Sequence, residues 1–131
     1  MTQKNKLAHI STVSRLLLGF LFIYHGLVPK ILWLSEVEIH LVEISGAGIP
    51  ASIASPLAGV AEILLGFSII LWRQSLIPIY VAAGLLVALL LYVCIASPSY
   101  LIEAFNPVTT NMLGLGFCYL ILNTQEKRQS D

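Results

Sequence analysis

Three ionisable side chains stand inside long apolar runs of this 131-residue sequence. His25 and Lys30 lie in TVSRLLLGFLFIYHGLVPKILWL, and Glu62 lies in IASPLAGVAEILLGFSIILW. A charge near the middle of a bilayer costs roughly 2.5–3.5 kcal/mol on the insertion scale, so each such group calls for a partner or a wet cavity. An acid, an amine and an imidazole at that depth have two uses. They can pair and fix helix register without any chemistry. Alternatively, they can line a polar cavity that opens outward and holds a quinone-like head group or relays a proton. In that second case Lys30 would hydrogen-bond a quinone carbonyl, and Glu62 or His25 would exchange its proton. Desolvation disfavours the Glu62 anion unless a cation is close. Arg15, at the start of the first run, and Asn106, before the last, complete the set of polar candidates.

Other spacings carry less. Glu36, His40 and Glu43 share one helix face, and a solvated face is the simpler reading, because metal sites usually recruit further ligands from elsewhere. No metal site is expected. Cys94 and Cys118 fall on opposite sides of the membrane midplane, roughly 19 Å apart in depth, far beyond the ~7 Å Cα limit for a disulfide. The sequence has no Cys-x-x-Cys pair, phosphate loop, dinucleotide fingerprint or nucleophile elbow. A lone membrane histidine is a weak haem signal.

The elements that must position these groups follow from composition. Of the residues, 57% are apolar and 11% charged, against about 45–50% and 25% in a soluble domain. Too few charges remain to cover a water-facing surface. Seven basic and seven acidic residues balance, which excludes nucleic-acid binding through a basic surface. The apolar content excludes an intrinsically disordered chain. A spanning helix needs about 20 mostly apolar residues. Four stretches meet or approach that length: 12–34, 53–72, 76–96 and 107–122. They predict one all-α membrane domain, a transmembrane four-helix bundle. The first stretch is longer than a signal-peptide core, carries three ionisable groups and has no small-x-small site close behind, so it reads as a retained span.

Lys4, Lys6, Arg15, Arg73, Lys127 and Arg128 all fall on one side of that layout, while Glu36, Glu38, Glu43 and Glu103 fall on the other. The positive-inside rule then places both termini in the cytoplasm. In the first outer loop, Leu34, Val37, Leu41 and Ile44 recur at helical spacing, which predicts a short amphipathic helix at the membrane surface, while the alternation over Glu36–Leu41 would also suit a short strand. Gly46 would end it. Asn106-Pro107 reads as a capped helix start. Pro29 is expected to bend the first span just before Lys30.

Arg15, Gly19, Phe22, Gly26 and Lys30 form one stripe on the first span, flanked by His25. Ser55, Gly59, Glu62, Gly66 and Arg73 form another on the second. Small residues let helix backbones approach closely in lipid. The polar stripes are therefore also the packing stripes, and Glu62 is expected to pair with His25 or Lys30. The third span, almost wholly apolar, is expected to face lipid more.

The runs Arg15-Leu-Leu-Leu-Gly19 and Tyr24-His25-Gly26-Leu27-Val28-Pro29-Lys30 resemble the first helix of the DoxX-like membrane proteins. Ala61-Glu62 through Gly66, and Phe105-Asn106-Pro107-Val108-Thr109, are similar to later parts of the same family. The resemblance covers nearly the whole chain. It implies a four-helix membrane bundle and a link to quinone-coupled sulfur oxidation or to membrane assemblies handling oxidative stress. The expectation is a small accessory subunit of quinone- or thiol-linked redox chemistry in a bacterial-type inner membrane. Arg15, His25, Lys30, Glu62 and Asn106 would form its polar intramembrane cluster. Its partners would be the bilayer and a redox protein or further copies of the chain. No resident cofactor is evident, and quinone is the ligand to test. The lack of a cysteine pair speaks against an autonomous oxidoreductase. The alternative is a non-enzymatic scaffold or small-molecule transporter with a structural buried ion pair.

Overall fold

A computed structural model describes the backbone of residues 2–130 and the side chains of residues 2–125. Among the described residues there is no strand. The helices are α1 (Gln3–Leu27), which runs on into a π-helical turn (Val28–Leu32), then α2 (Glu36–Ile44), α3 (Ala51–Leu71), α4 (Ile77–Ala96), a short 3-10 turn (Pro98–Ile102) and α5 (Pro107–Ser130).

Each boundary has a local cause. Thr2 caps α1, its hydroxyl accepting from the Asn5 backbone N–H. The helix therefore starts nine residues before the apolar stretch expected from Thr12. Ser35 caps α2 by accepting from the Glu38 N–H at 3.2 Å. The chain leaves α2 through Gly46 and Gly48, both at positive φ, a conformation glycine adopts freely. At α5, Asn106 Oδ1 accepts from the Thr109 N–H at 3.1 Å and Pro107 follows in the first turn. This is the capped start that the dipeptide predicts.

Helices α1 and α3 pack antiparallel through two glycine pairs. A methyl group on Gly26 would run into the Gly59 carbonyl oxygen, and one on Gly59 into the Gly26 carbonyl. Gly19 and Gly66 repeat the arrangement seven residues along, each within about 2.8 Å of the other's carbonyl oxygen if given a Cβ. In lipid, where burying apolar surface gains little, such backbone proximity supplies the van der Waals contact that holds helices together. Cα–H···O contacts add to it.

α1 also packs on α5, and α5 on α4. Gly114 admits Leu86 from α4, and Asn111 donates to the Leu86 carbonyl at 3.2 Å. α3 and α4, although joined by a short link, touch each other little. The buried centre is built from Leu18, Phe22, Ile69, Ile79, Ala82, Leu86, Cys118 and Ile121. α4 contributes a buried face to this centre, yet of the three most apolar helices it is the least buried, as its composition suggests.

Around this centre the surface is apolar. Phe20, Leu57, Leu64 and Ile95 are each more than half exposed. Among the described residues three helices, α1 with its π turn, α3 and α4, are long and apolar enough to cross a membrane. Lipid is the solvent for such a surface.

At the end of α3, Arg15 is 2% exposed. Its guanidinium donates to the carbonyls of Ile69 at 3.0 Å, Trp72 at 3.5 Å, Arg73 at 3.4 Å and Ser75 at 3.4 Å. The last carbonyls of a helix have no partner within it. Arg15 supplies one from the neighbouring helix.

The glycine contact generates a prediction. Gly59→Val places a branched side chain against the backbone of α1. It should destabilise the protein by at least about 1–3 kcal/mol, the usual cost of overpacking. Gly84→Val, where a Cβ meets nothing within 4 Å, is the control. Thermal unfolding in detergent should show a clear drop for the first and little change for the second.

Candidate functional site

The close approach of Gly26 and Gly59 determines where the charges fall. The Lys30 Cβ lies 3.0 Å from where a Gly59 Cβ would be, and the Glu62 Cβ lies 3.0 Å from the corresponding point on Gly26. From there Lys30 Nζ reaches Glu62 Oε1 at 2.8 Å, and Glu38 Oε2 lies 3.5 Å from the same nitrogen. The side chains of Lys30 and Glu62 are 10% and 9% exposed.

The π turn directs Lys30 inward. Pro29 has no N–H to donate to the carbonyl four residues back, so the α-helical ladder fails at this point. The chain closes a wider turn instead, with the Trp33 N–H on the Val28 carbonyl at 2.9 Å. Such turns re-aim a side chain within an otherwise regular helix and recur at functional sites. The bend expected at Pro29 takes this form.

α2 brings the second carboxylate. It packs against α3 and α4, and Tyr92 of α4 donates its hydroxyl to the Leu41 carbonyl at 2.6 Å. Beneath it is a cavity of about 470 Å³. Lys30, Glu38, Glu62 and Ser55 give it a polar patch, while Phe22, Leu86, Val93 and Leu41 are among its mostly apolar walls. Two buried polar atoms there have no partner among the described residues: Glu62 Oε2 and Ser55 Oγ. A buried acceptor without a donor costs free energy, and here both atoms belong to residues bordering an open space.

The residues expected from sequence divide into two groups. His25, Lys30, Glu62 and Asn106 all line the cavity. Of the two partners open to Glu62, the structure pairs it with Lys30. His25 borders the cavity and sets its ring edge-on to Tyr24 at 6.5 Å. Asn106 is engaged as the cap of α5. Its side-chain amide also donates to the Glu103 carbonyl at 3.1 Å. Arg15 stands apart at the other end of α1 and α3, among carbonyls, and borders a different cavity. Fifteen residues of helix separate it from Lys30, roughly 22 Å of rise, so its role is to cap α3 and not to join the cluster.

On α2 the solvated face of Glu36, His40 and Glu43 is exposed, with His40 edge-on to Tyr100 at 5.9 Å. Among the described residues no group of His, Cys, Asp or Glu could hold a metal ion. Sequence reasoning left Glu38 with the outer acidic residues. The signal for its inward direction is the spacing Glu38, Leu41, Val42, Ser45, which is one helix face, and all four line the cavity.

Residues 19–119 match the DoxX-like family. That covers most of the chain, and the protein belongs to the DoxX-like family. With its apolar helices it is a small membrane protein, and its environment is a lipid bilayer. Comparison with curated proteins and with solved structures gives no match for this chain.

The buried pair makes a measurable claim. Lys30→Met leaves two carboxylates without their cation and should destabilise the protein by about 3–5 kcal/mol, the usual cost of breaking a buried pair. Adding Glu62→Leu to Lys30→Met should restore part of that loss. A thermal double-mutant cycle checks it, and additive losses would contradict the pairing.

Proposed function

We propose that this protein is a four-span membrane bundle that holds a small amphipathic ligand, and that it serves as an accessory subunit in quinone- or thiol-linked redox chemistry. The reading takes α5 as the fourth span. It puts both termini on the inner side of a bacterial-type cytoplasmic membrane and the cavity on the outer side. The basic residues support that orientation, since all but Lys30 gather at the Arg15 end of the layout.

One observation carries the proposal: the Lys30–Glu62 pair borders a space of ligand size and leaves Glu62 Oε2 without a donor. An ion pair that served only to fix register would be packed around by side chains. Here the walls are apolar and the polar groups converge on one patch, the usual form of a small-molecule site. The donor inventory constrains the ligand. Glu62 Oε2 accepts only, so the head group must offer an O–H or N–H there. Lys30 spends its charge on two carboxylates and keeps one N–H for a carbonyl; Ser55 can donate or accept. A quinol, with an O–H to donate to Glu62 Oε2 and oxygen at both ends of its ring, suits this set, while the oxidised quinone would keep only the acceptor contact to Lys30. Its apolar tail would leave through the loose seam between α3 and α4. Glu62 or His25 would exchange the head-group proton, and electrons would pass to a separate redox partner.

The second reading is a scaffold or transporter in which Lys30 only ties α2 to α3. The bridge to Glu38 favours it. A lipid extract of the purified protein that is empty of quinones would point the same way.

Titration of the purified protein with a short-tailed ubiquinone analogue, followed by tryptophan fluorescence, tests the first reading. Glu62→Gln and Lys30→Met should each weaken binding by roughly tenfold or more, the worth of a hydrogen bond to a charged group. Unchanged binding in both variants would contradict a ligand site at this pair.

A further inference from the structure

The Arg15 end of the protein holds a second cavity that the proposed redox role leaves unused. It is about 540 Å³, and it is bordered by Lys4, Arg15 and Arg73 together with Thr12, Gln74 and Gln125. Three of the chain's seven basic residues converge there. Among the described residues its border carries no acid.

The two arginines have different tasks. Arg15 is buried, and its donors are directed at the carbonyls that end α3. What it offers the cavity is charge. Arg73, in the turn after α3, is exposed and makes one side-chain hydrogen bond among the described residues, a long one of 3.4 Å to the Thr12 hydroxyl. A guanidinium so placed keeps most of its five donors. Lys4, also exposed, adds a mobile ammonium, and Thr12 keeps its own proton to donate. Two guanidinium groups held close without a carboxylate between them repel each other. An anion bound between them would relieve that repulsion.

The position within the membrane narrows the class of anion. The cavity lies where α3 ends at Leu71 and the chain turns back, beside the exposed Trp72. Tryptophan marks the level of lipid head groups. Basic pockets between spanning helices at that level suit phosphate groups, which accept several charge-assisted hydrogen bonds at once. Arginine matches phosphate oxygens in a bidentate fork that lysine cannot make.

We propose that this cavity is a phosphate site at the membrane surface, in which Arg73 and Lys4 bind the oxyanion while Arg15 contributes buried positive charge and the Thr12 hydroxyl a further donor. Two sources share the chemistry, the head group of an anionic phospholipid and free phosphate. The depth of the site favours the lipid.

The test uses the full chain in nanodiscs of phosphatidylcholine. Thermal stability is read with phosphatidylglycerol included in the lipid, and separately with inorganic phosphate added to the buffer. The combined variant Arg73→Gln with Lys4→Gln is compared throughout. Arg15 is left intact because it caps α3. Phosphatidylglycerol should raise the melting temperature of the native chain, and competition with spin-labelled phosphatidylglycerol should show the double variant weaker by roughly thirtyfold, the summed effect of two near-surface cations. Stabilisation by inorganic phosphate alone, lost in the same variant, would assign the site to a soluble phosphate. If neither additive stabilises the native chain, or if the variant responds as the native chain does, the proposal is overturned. An unchanged melting temperature of the variant in pure phosphatidylcholine guards against misfolding.

Discussion

The arrangement depends on the contact between the backbones of α1 and α3 at Gly26 and Gly59. Membrane helices gain little by burying apolar side chains against one another, because lipid is equally apolar. They associate where their surfaces fit, and a glycine facing a glycine brings two helix axes closer than any other pair allows. Gly26, Gly59, Gly19 and Gly66 form two such steps, seven residues apart on each helix. The first step lies directly beside Lys30 and Glu62. The spacing that lets the helices touch therefore also determines that an ammonium and a carboxylate meet in a low-dielectric setting. Without it, each charge would face lipid alone, at a cost of roughly 2.5–3.5 kcal/mol.

The two ends of this helix pair are put to different uses. At the Arg15 end the buried cation meets carbonyl dipoles that the helix itself leaves unpaired. That arrangement completes a helix terminus and keeps α3 from fraying. At the Lys30 end the cation meets two carboxylates and an open space. The formal charge there is unbalanced, one ammonium against two acids, and an oxygen of Glu62 lacks a donor. The Arg15 guanidinium is satisfied by carbonyls of the protein, whereas beside Lys30 an oxygen of Glu62 has hydrogen-bonding capacity left over. The cavity at Lys30 is also roofed by α2, whose Leu41 carbonyl is held by Tyr92. The lining of this cavity thus comes from all five α-helices.

Much of this was legible in the sequence. Apolar stretches of about 20 residues located the long helices, and glycine and charge recurring at helical spacing located the faces that meet. The ends of α1 and α5 were harder. Hydropathy marks only what lies in lipid, and α1 begins at Gln3 because Thr2 caps a polar first turn that no hydropathy window registers. Asn106 was readable because a cap is a local motif. Glu38 was not, because its direction depends on how α2 rotates as it docks, and that is decided by Lys30 and Tyr92 in distant parts of the chain. Arg15 shared a stripe with Lys30, yet a stripe records facing and not depth. The four turns between them separate a helix cap from a site.

The central claim is that an aqueous, ligand-sized space reaches from one membrane surface down to the Lys30–Glu62 pair. Cysteine accessibility tests it most directly, using a chain whose Cys94 and Cys118 are replaced by alanine. Ala58 borders the cavity, while its neighbour Leu57 faces outward and is 66% exposed on the lipid side. Ala58→Cys in intact cells should react with a charged, membrane-impermeant thiol reagent added from outside, and Leu57→Cys at the same depth should not. Equal protection of both positions would contradict the account, since it would mean that Lys30 and Glu62 are sealed inside a packed core.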